Sequence, residues 1–162
     1  MNALYKRLRI ATFLIAISLD FTLAYGQNQP QPGPDDAAAA CADPRALSAA
    51  HFYGRWDVYW LDAPGAQAPA TPAAELRLGP NPEHPDSVRG TLHAGGETAW
   101  IAGDVDEDGD FALEQSADGT HIDATWIGPF TEGSCAHEAR GIWTRAADGL
   151  QRPYLLRQRR AW

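Results

Sequence analysis

The chain has 162 residues and a formal net charge of −8, with 13 basic against 21 acidic side chains. Four arginines (Arg152, Arg157, Arg159, Arg160) crowd the C-terminus instead of forming a basic stripe interleaved with aromatics, so the rest of the surface repels phosphate and nucleic acid is excluded as a partner. Two distant cysteines and five histidines without ligand spacing give no zinc motif, and no cofactor or metal is expected.

Lys6, Arg7 and Arg9 precede a largely apolar stretch from Ile10 to Ala24, the layout of a secretory signal peptide. Asp20 leaves an uninterrupted apolar run of about ten residues, too short for a hydrocarbon core that takes about 20. Ala24 and Gly26 supply the small side chains that favour cleavage after residue 26. Residues 1–26 are therefore expected to be removed, leaving a periplasmic or secreted protein with no membrane span and a net charge near −10. Residues 27–42 are rich in Pro, Gln, Asp and Ala, cannot bury a core and read as a flexible leader to a single domain over 43–162. In an exported chain the lone pair Cys41 and Cys135 reads as a disulfide that ties the leader to a late strand.

Asp43 suits a helix N-cap and Pro44 the first helical position, so a short helix is predicted over 45–52, ended by Gly54. Arg55 to Leu61 then alternates, with Trp56, Val58 and Trp60 on one face. The same period of two recurs around Leu76 and Leu78, Val88 and Leu92, residues 98–105, Phe111 and Leu113, and residues 121–127, 135–144 and 153–157. Gly95-Gly96, Asp108-Gly109, Asp118-Gly119 and Asp148-Gly149 fall between these runs and supply the positive φ of tight hairpins. The prediction is an all-β fold, an eight-stranded antiparallel up-and-down barrel behind a short N-terminal helix. Most of the strands are shorter than the 9–11 residues an outer-membrane barrel needs. The two longest connections, 62–74 and 79–87, are the loops most open to function.

Gly54-Arg55-Trp56 at the head of the first strand, together with Arg157 in the last, resembles the calycin group: lipocalins, avidins and the small bacterial inhibitors of secreted metalloproteases. The resemblance implies a Gly-x-Trp at the closed end of the barrel, with Trp56 capped by Arg157 in a cation–π contact. It also implies two functions of different kinds, a carrier of a small apolar ligand within the barrel and a protein-binding inhibitor of an exported protease.

For a carrier, Trp60, Trp100 and Trp126 are the candidate lining residues at the open end, opposite Trp56 and Arg157; core filling is the competing role for such rings. Asp104, Asp106, Asp108 and Gly109 reproduce the opening of a calcium loop, but position 12 is Gln115, and a solvated hairpin tip or a weak cation site over Asp104 to Asp110 is expected. Ser134, Cys135 and His137 lack the elbow of a nucleophile motif, and His137-Glu138 is no part of H-E-x-x-H. The chain is accordingly expected to be no enzyme but an exported, monomeric binding module, whose partner is a small apolar ligand or an exported protein.

Overall fold

The structure is a computed structural model that describes Cys41 and residues 46–159. The signal segment, the leader apart from Cys41, Asp43, Pro44 and Trp162 lie outside the described residues. Eight strands follow in order: β1 (Gly54–Trp60), β2 (Ala74–Pro80), β3 (Ser87–Ala94), β4 (Glu97–Val105), β5 (Asp110–Ser116), β6 (Ala124–Pro129), β7 (Glu138–Arg145) and β8 (Gln151–Gln158). Each pairs antiparallel with the next and β8 returns to β1, closing an up-and-down barrel of calycin-like architecture. Among the described residues no helix is long and apolar enough to cross a membrane.

Alternation builds this wall directly. Trp56 and Val58 of β1, Leu76 and Leu78 of β2, and Phe111 and Leu113 of β5 point inward and are buried, while their neighbours face out. Glycines let the sheet bend enough to close. Gly90 faces inward opposite Leu78, and a Cβ there would lie 1.8 Å from the Arg77 carbonyl oxygen; at Gly103, opposite Leu113, it would lie 2.1 Å from that of Ala112. Only a residue without a Cβ allows such close approach of neighbouring strands.

Of the helix expected over 45–52, the described part holds the 3₁₀ turn Ala49–Phe52, with Ala46 also in 3₁₀ conformation and Leu47 and Ser48 in no helix. The turn is short because Phe52 drops into the barrel end, where its ring meets Trp56 at 5.3 Å and Phe111 and Phe130 at 4.6 Å each. Trp56 Nε1 donates to the Phe52 carbonyl at 2.8 Å, which satisfies the buried indole and pins the plug. The loop after β1 does not rim a mouth. Leu61, Ala66 and Ala68 fold back over Tyr59 and Leu155 on the outer wall, and the Leu61 and Ala73 amides donate to Pro153 and Val58.

Beside this loop the outer wall carries a network of charges. Glu75 accepts from Arg55 at 2.8 Å and from Arg77, and pairs with Arg159 at 2.7 Å. Glu138 accepts from Arg140 at 3.2 Å and Arg157 at 3.0 Å. Burial alone would push the Glu138 carboxyl up, but its two arginines together hold it below its ordinary value. The hydrogen bonds from Arg55 and then Arg77 bring Glu75 from 4.5 to about 2. A carboxylate whose folded pKa is depressed stabilises the fold above its unfolded pKa, and that contribution is lost as pH falls toward the folded value. Acid titration of stability is thus expected to fall between about pH 5 and pH 2, and Glu75→Gln to flatten that slope. Denaturant midpoints measured at several pH values check this; equal slopes in the two proteins would refute it.

Candidate functional site

At the end of the barrel remote from Phe52, β1, β6 and β7 bring three tryptophans together. Trp60 stacks on Trp126 at 5.3 Å with 22° between planes and meets the edge of Trp143 at 5.5 Å. Tyr154 packs edge-on against Trp126 at 5.0 Å. Gln115 Oε1 accepts from Trp126 Nε1 at 3.1 Å and Trp143 Nε1 at 3.3 Å, so one amide satisfies both indoles. Above them the Arg152 guanidinium lies 4.5 Å from the Trp60 ring centre and closes the end with a cation–π contact. The predicted lining residues Trp60 and Trp126 do meet here, as parts of a packed stack. The sequence offered Gln115 only as the failed twelfth position of the acidic loop and gave Tyr154 no role, yet both hold this stack. The Tyr154 hydroxyl is buried without a hydrogen-bond partner among the described residues, and burial pushes its pKa well above the ordinary value.

Trp100 is not with them. It stands in register with Thr91 and Ser116 on the outward row and is 49% exposed, whereas the inward residue is its neighbour Ile101, at 1%. The cap predicted for the other end is likewise corrected. Trp56 pairs with Gln158, and Arg157 pairs with Asp57 on the outer face. The Arg157 guanidinium bonds Glu138 and lies 5.7 Å from the Tyr59 ring, not over Trp56. Gln158 takes the inward place, donating to the Tyr53 carbonyl at 2.9 Å and accepting from His137 Nδ1 at 2.6 Å.

The disulfide between Cys41 and Cys135 is formed and joins residue 41 to the connection between β6 and β7. In the acidic hairpin Asp106 Oδ1 accepts from the amides of Asp108 at 3.0 Å and Asp110 at 2.9 Å, so that oxygen shapes the turn itself. Among the described residues no group of three or more His, Cys, Asp or Glu side chains is arranged to hold a metal ion.

Among the described residues, three concave sites lie on the outside of the wall. A cleft of about 330 Å³ runs over β3, β4 and β5 beneath the loop between β5 and β6, lined by Arg89, Trp100, Glu114 and Ile122. A second, of about 270 Å³, continues it toward the plugged end and shares Asn81, Ala102 and Glu114. The loop above is shaped by Asp118, whose carboxylate accepts from the amides of Thr120 and His121 and from His121 Nδ1. These bonds, the His121 side chain foremost, hold Asp118 well below the usual carboxylate range, and Asp118 in turn raises His121. Gly119 rests against the Trp100 ring, where a Cβ would stand 3.3 Å from Cδ1. An apolar hollow of about 220 Å³ lies elsewhere, between Leu61, Pro64, Ile142 and Pro153. Comparison of the chain with models of known protein families finds no match, and comparison with curated proteins finds none either.

Proposed function

We propose that this protein is an exported, non-catalytic binding module that meets a protein partner through the outside of its barrel. The observation that carries this reading is the filled interior. A carrier of a small apolar ligand needs an enclosed space of about 300 Å³ or more, and here Trp60, Trp126, Trp143 and Tyr154 occupy the end where that space would open. The clefts able to receive a partner are on the outer wall. Export is supported by the Cys41–Cys135 bond, which persists in oxidising compartments, together with the charged and apolar layout of residues 6–24. The role of a protease inhibitor is the particular form of this reading that the calycin-like barrel suggests.

Native mass spectrometry of protein purified gently from its own compartment tests both halves. The expected species starts near Gln27, is oxidised at both cysteines and carries no small molecule. A stoichiometric apolar ligand, lost in Trp60→Ala, would restore the carrier; retained residues 1–26 or free thiols would defeat export.

A further inference from the structure

We propose that the trough over β3, β4 and β5 is the docking site for an extended, cationic segment of a partner protein. The proposal rests on the reading that the barrel acts through its outer wall, and names which part of the wall and what chemistry.

Shape comes first. The two clefts share Asn81, Ala102 and Glu114 and so form one trough. Its floor is Ala102 and Ala112, methyl side chains where the outer face of a sheet more often carries long polar ones. The outward positions of β4 along it, Trp100, Ala102 and Asp104, cover about 13 Å at strand spacing, the reach of roughly four residues of extended chain. Trp100 and Ile122, 49% and 47% exposed, flank one end and offer apolar area to a side chain laid between them.

Charge decides what kind of segment fits. Strands β7, β8, β1 and β2 carry six arginines against three acids, whereas β3 to β6 carry Arg89 alone against Glu97, Asp104, Asp110 and Glu114. The barrel is therefore electrically two-sided. On the basic side, five of the six strand arginines are held in ion pairs with Glu75, Glu138 and Asp148. On the acidic side, none of the five charged strand residues has an ion-pair partner among the described residues. Glu114, common to both clefts, stands beside Ala102, with Arg89 on the other side of that alanine. A lysine or arginine of the partner would meet Glu114, with Glu83 and Asp104 along the same trough. The guanidinium of Arg89, 6.0 Å from the Trp100 ring, keeps its N–H groups for a carbonyl of the incoming backbone. A neutral glycan would leave Glu83, Asp104 and Glu114 with Arg89 as the one arginine lining the trough among the described residues. A second copy would have to present a basic wall on which five of the six arginines are already in ion pairs and the sixth, Arg152, lies over Trp60.

The six indole N–H signals of the ¹⁵N-labelled protein report the outcome. The probe is the peptide acetyl-Ala-Lys-Leu-Ala-Arg-Ala-amide, with a counterpart bearing Glu for Lys and Arg, and maltohexaose as the neutral glycan. The basic peptide is expected to shift the Trp100 signal and leave those of Trp56 and Trp126 in place. Glu114→Gln and Glu83→Gln, both at exposed positions, should each weaken binding about fivefold, and a rise in salt from roughly 50 to 500 mM should weaken it further. Absence of any shift at millimolar peptide overturns the proposal, as does equal binding of the acidic peptide, undiminished binding to both variants, or a Trp100 response to maltohexaose alone. Self-association that Glu114→Gln abolishes would assign the trough to a second copy and also overturn it. Peptide shifts elsewhere on the wall, with Trp100 unmoved, defeat this site but leave the outer-wall reading standing. Movement of the Trp60, Trp126 and Trp143 signals by an apolar compound defeats that reading itself.

Discussion

Loss of the Cys41–Cys135 bond is expected to lower stability by about 4 kcal/mol, and the melting temperature by on the order of 15 °C. The bond closes a loop with a sequence separation of 94, and constraint of so long a loop in the unfolded chain is the larger part of the effect. A smaller term opposes it. Cys135 and Ala136 stand at φ 52° and 61°, left-handed conformations that cost about 1–2 kcal/mol each in residues other than glycine. Without the bond this stretch can relax toward ordinary φ values, which returns part of the loss. Thermal melts with and without reductant measure the net effect, and the double variant Cys41→Ser with Cys135→Ser should melt low and ignore reductant. A shift below about 3 °C would mean that the β6–β7 connection, not the bond, holds this end together.

Much of the barrel was legible because a half-buried strand writes its two faces into a period of two, and tight hairpins demand glycine where φ is positive. All eight strands lie where alternation placed them, although β6 begins at Ala124 and β7 at Glu138, later than the apolar pattern alone suggested. The tryptophans divide instructively. Trp60 and Trp126 follow the parity of Val58 and Ala124, so their inward direction could be read from β1 and β6. In β4 the inward set is Ala99, Ile101, Gly103 and Val105, two of them small, and this weak signal let the size of Trp100 outweigh its parity. The register of Trp56 against Gln158 depends on how far the first and last strands are sheared on closure, which no local pattern encodes, and one residue of shear moved Arg157 to the outer face. The two-sided charge of the wall was hidden for the same reason. Arg55 and Arg77 lie far along the chain from Arg140 and Arg157, and only the return of β8 to β1 makes them neighbours.

Trp126→Ala should destabilise the protein by about 3–5 kcal/mol, whereas Trp100→Ala should cost only about 1 kcal/mol. The contrast follows from position, since the side chains are identical. Trp126 is fully buried between Trp60, Trp143 and Tyr154, with its N–H on Gln115. Truncation removes the apolar transfer energy and the stacking, and opens a void beside the Tyr154 ring. Gln115 keeps its bond to Trp143, so the polar loss is partial and the cavity dominates. Such a void is also the enclosed space that a carrier of this fold would possess from the outset. Indole, which matches the deleted side chain, should therefore raise the melting temperature of Trp126→Ala in proportion to its occupancy and leave the parent unchanged. Denaturant unfolding and melts across an indole titration separate the two proteins. Stabilisation of the parent by indole to the same degree would show that the stack of Trp60, Trp126 and Trp143 already leaves room for a guest, and the interior would then have to be counted as a binding site alongside the outer wall.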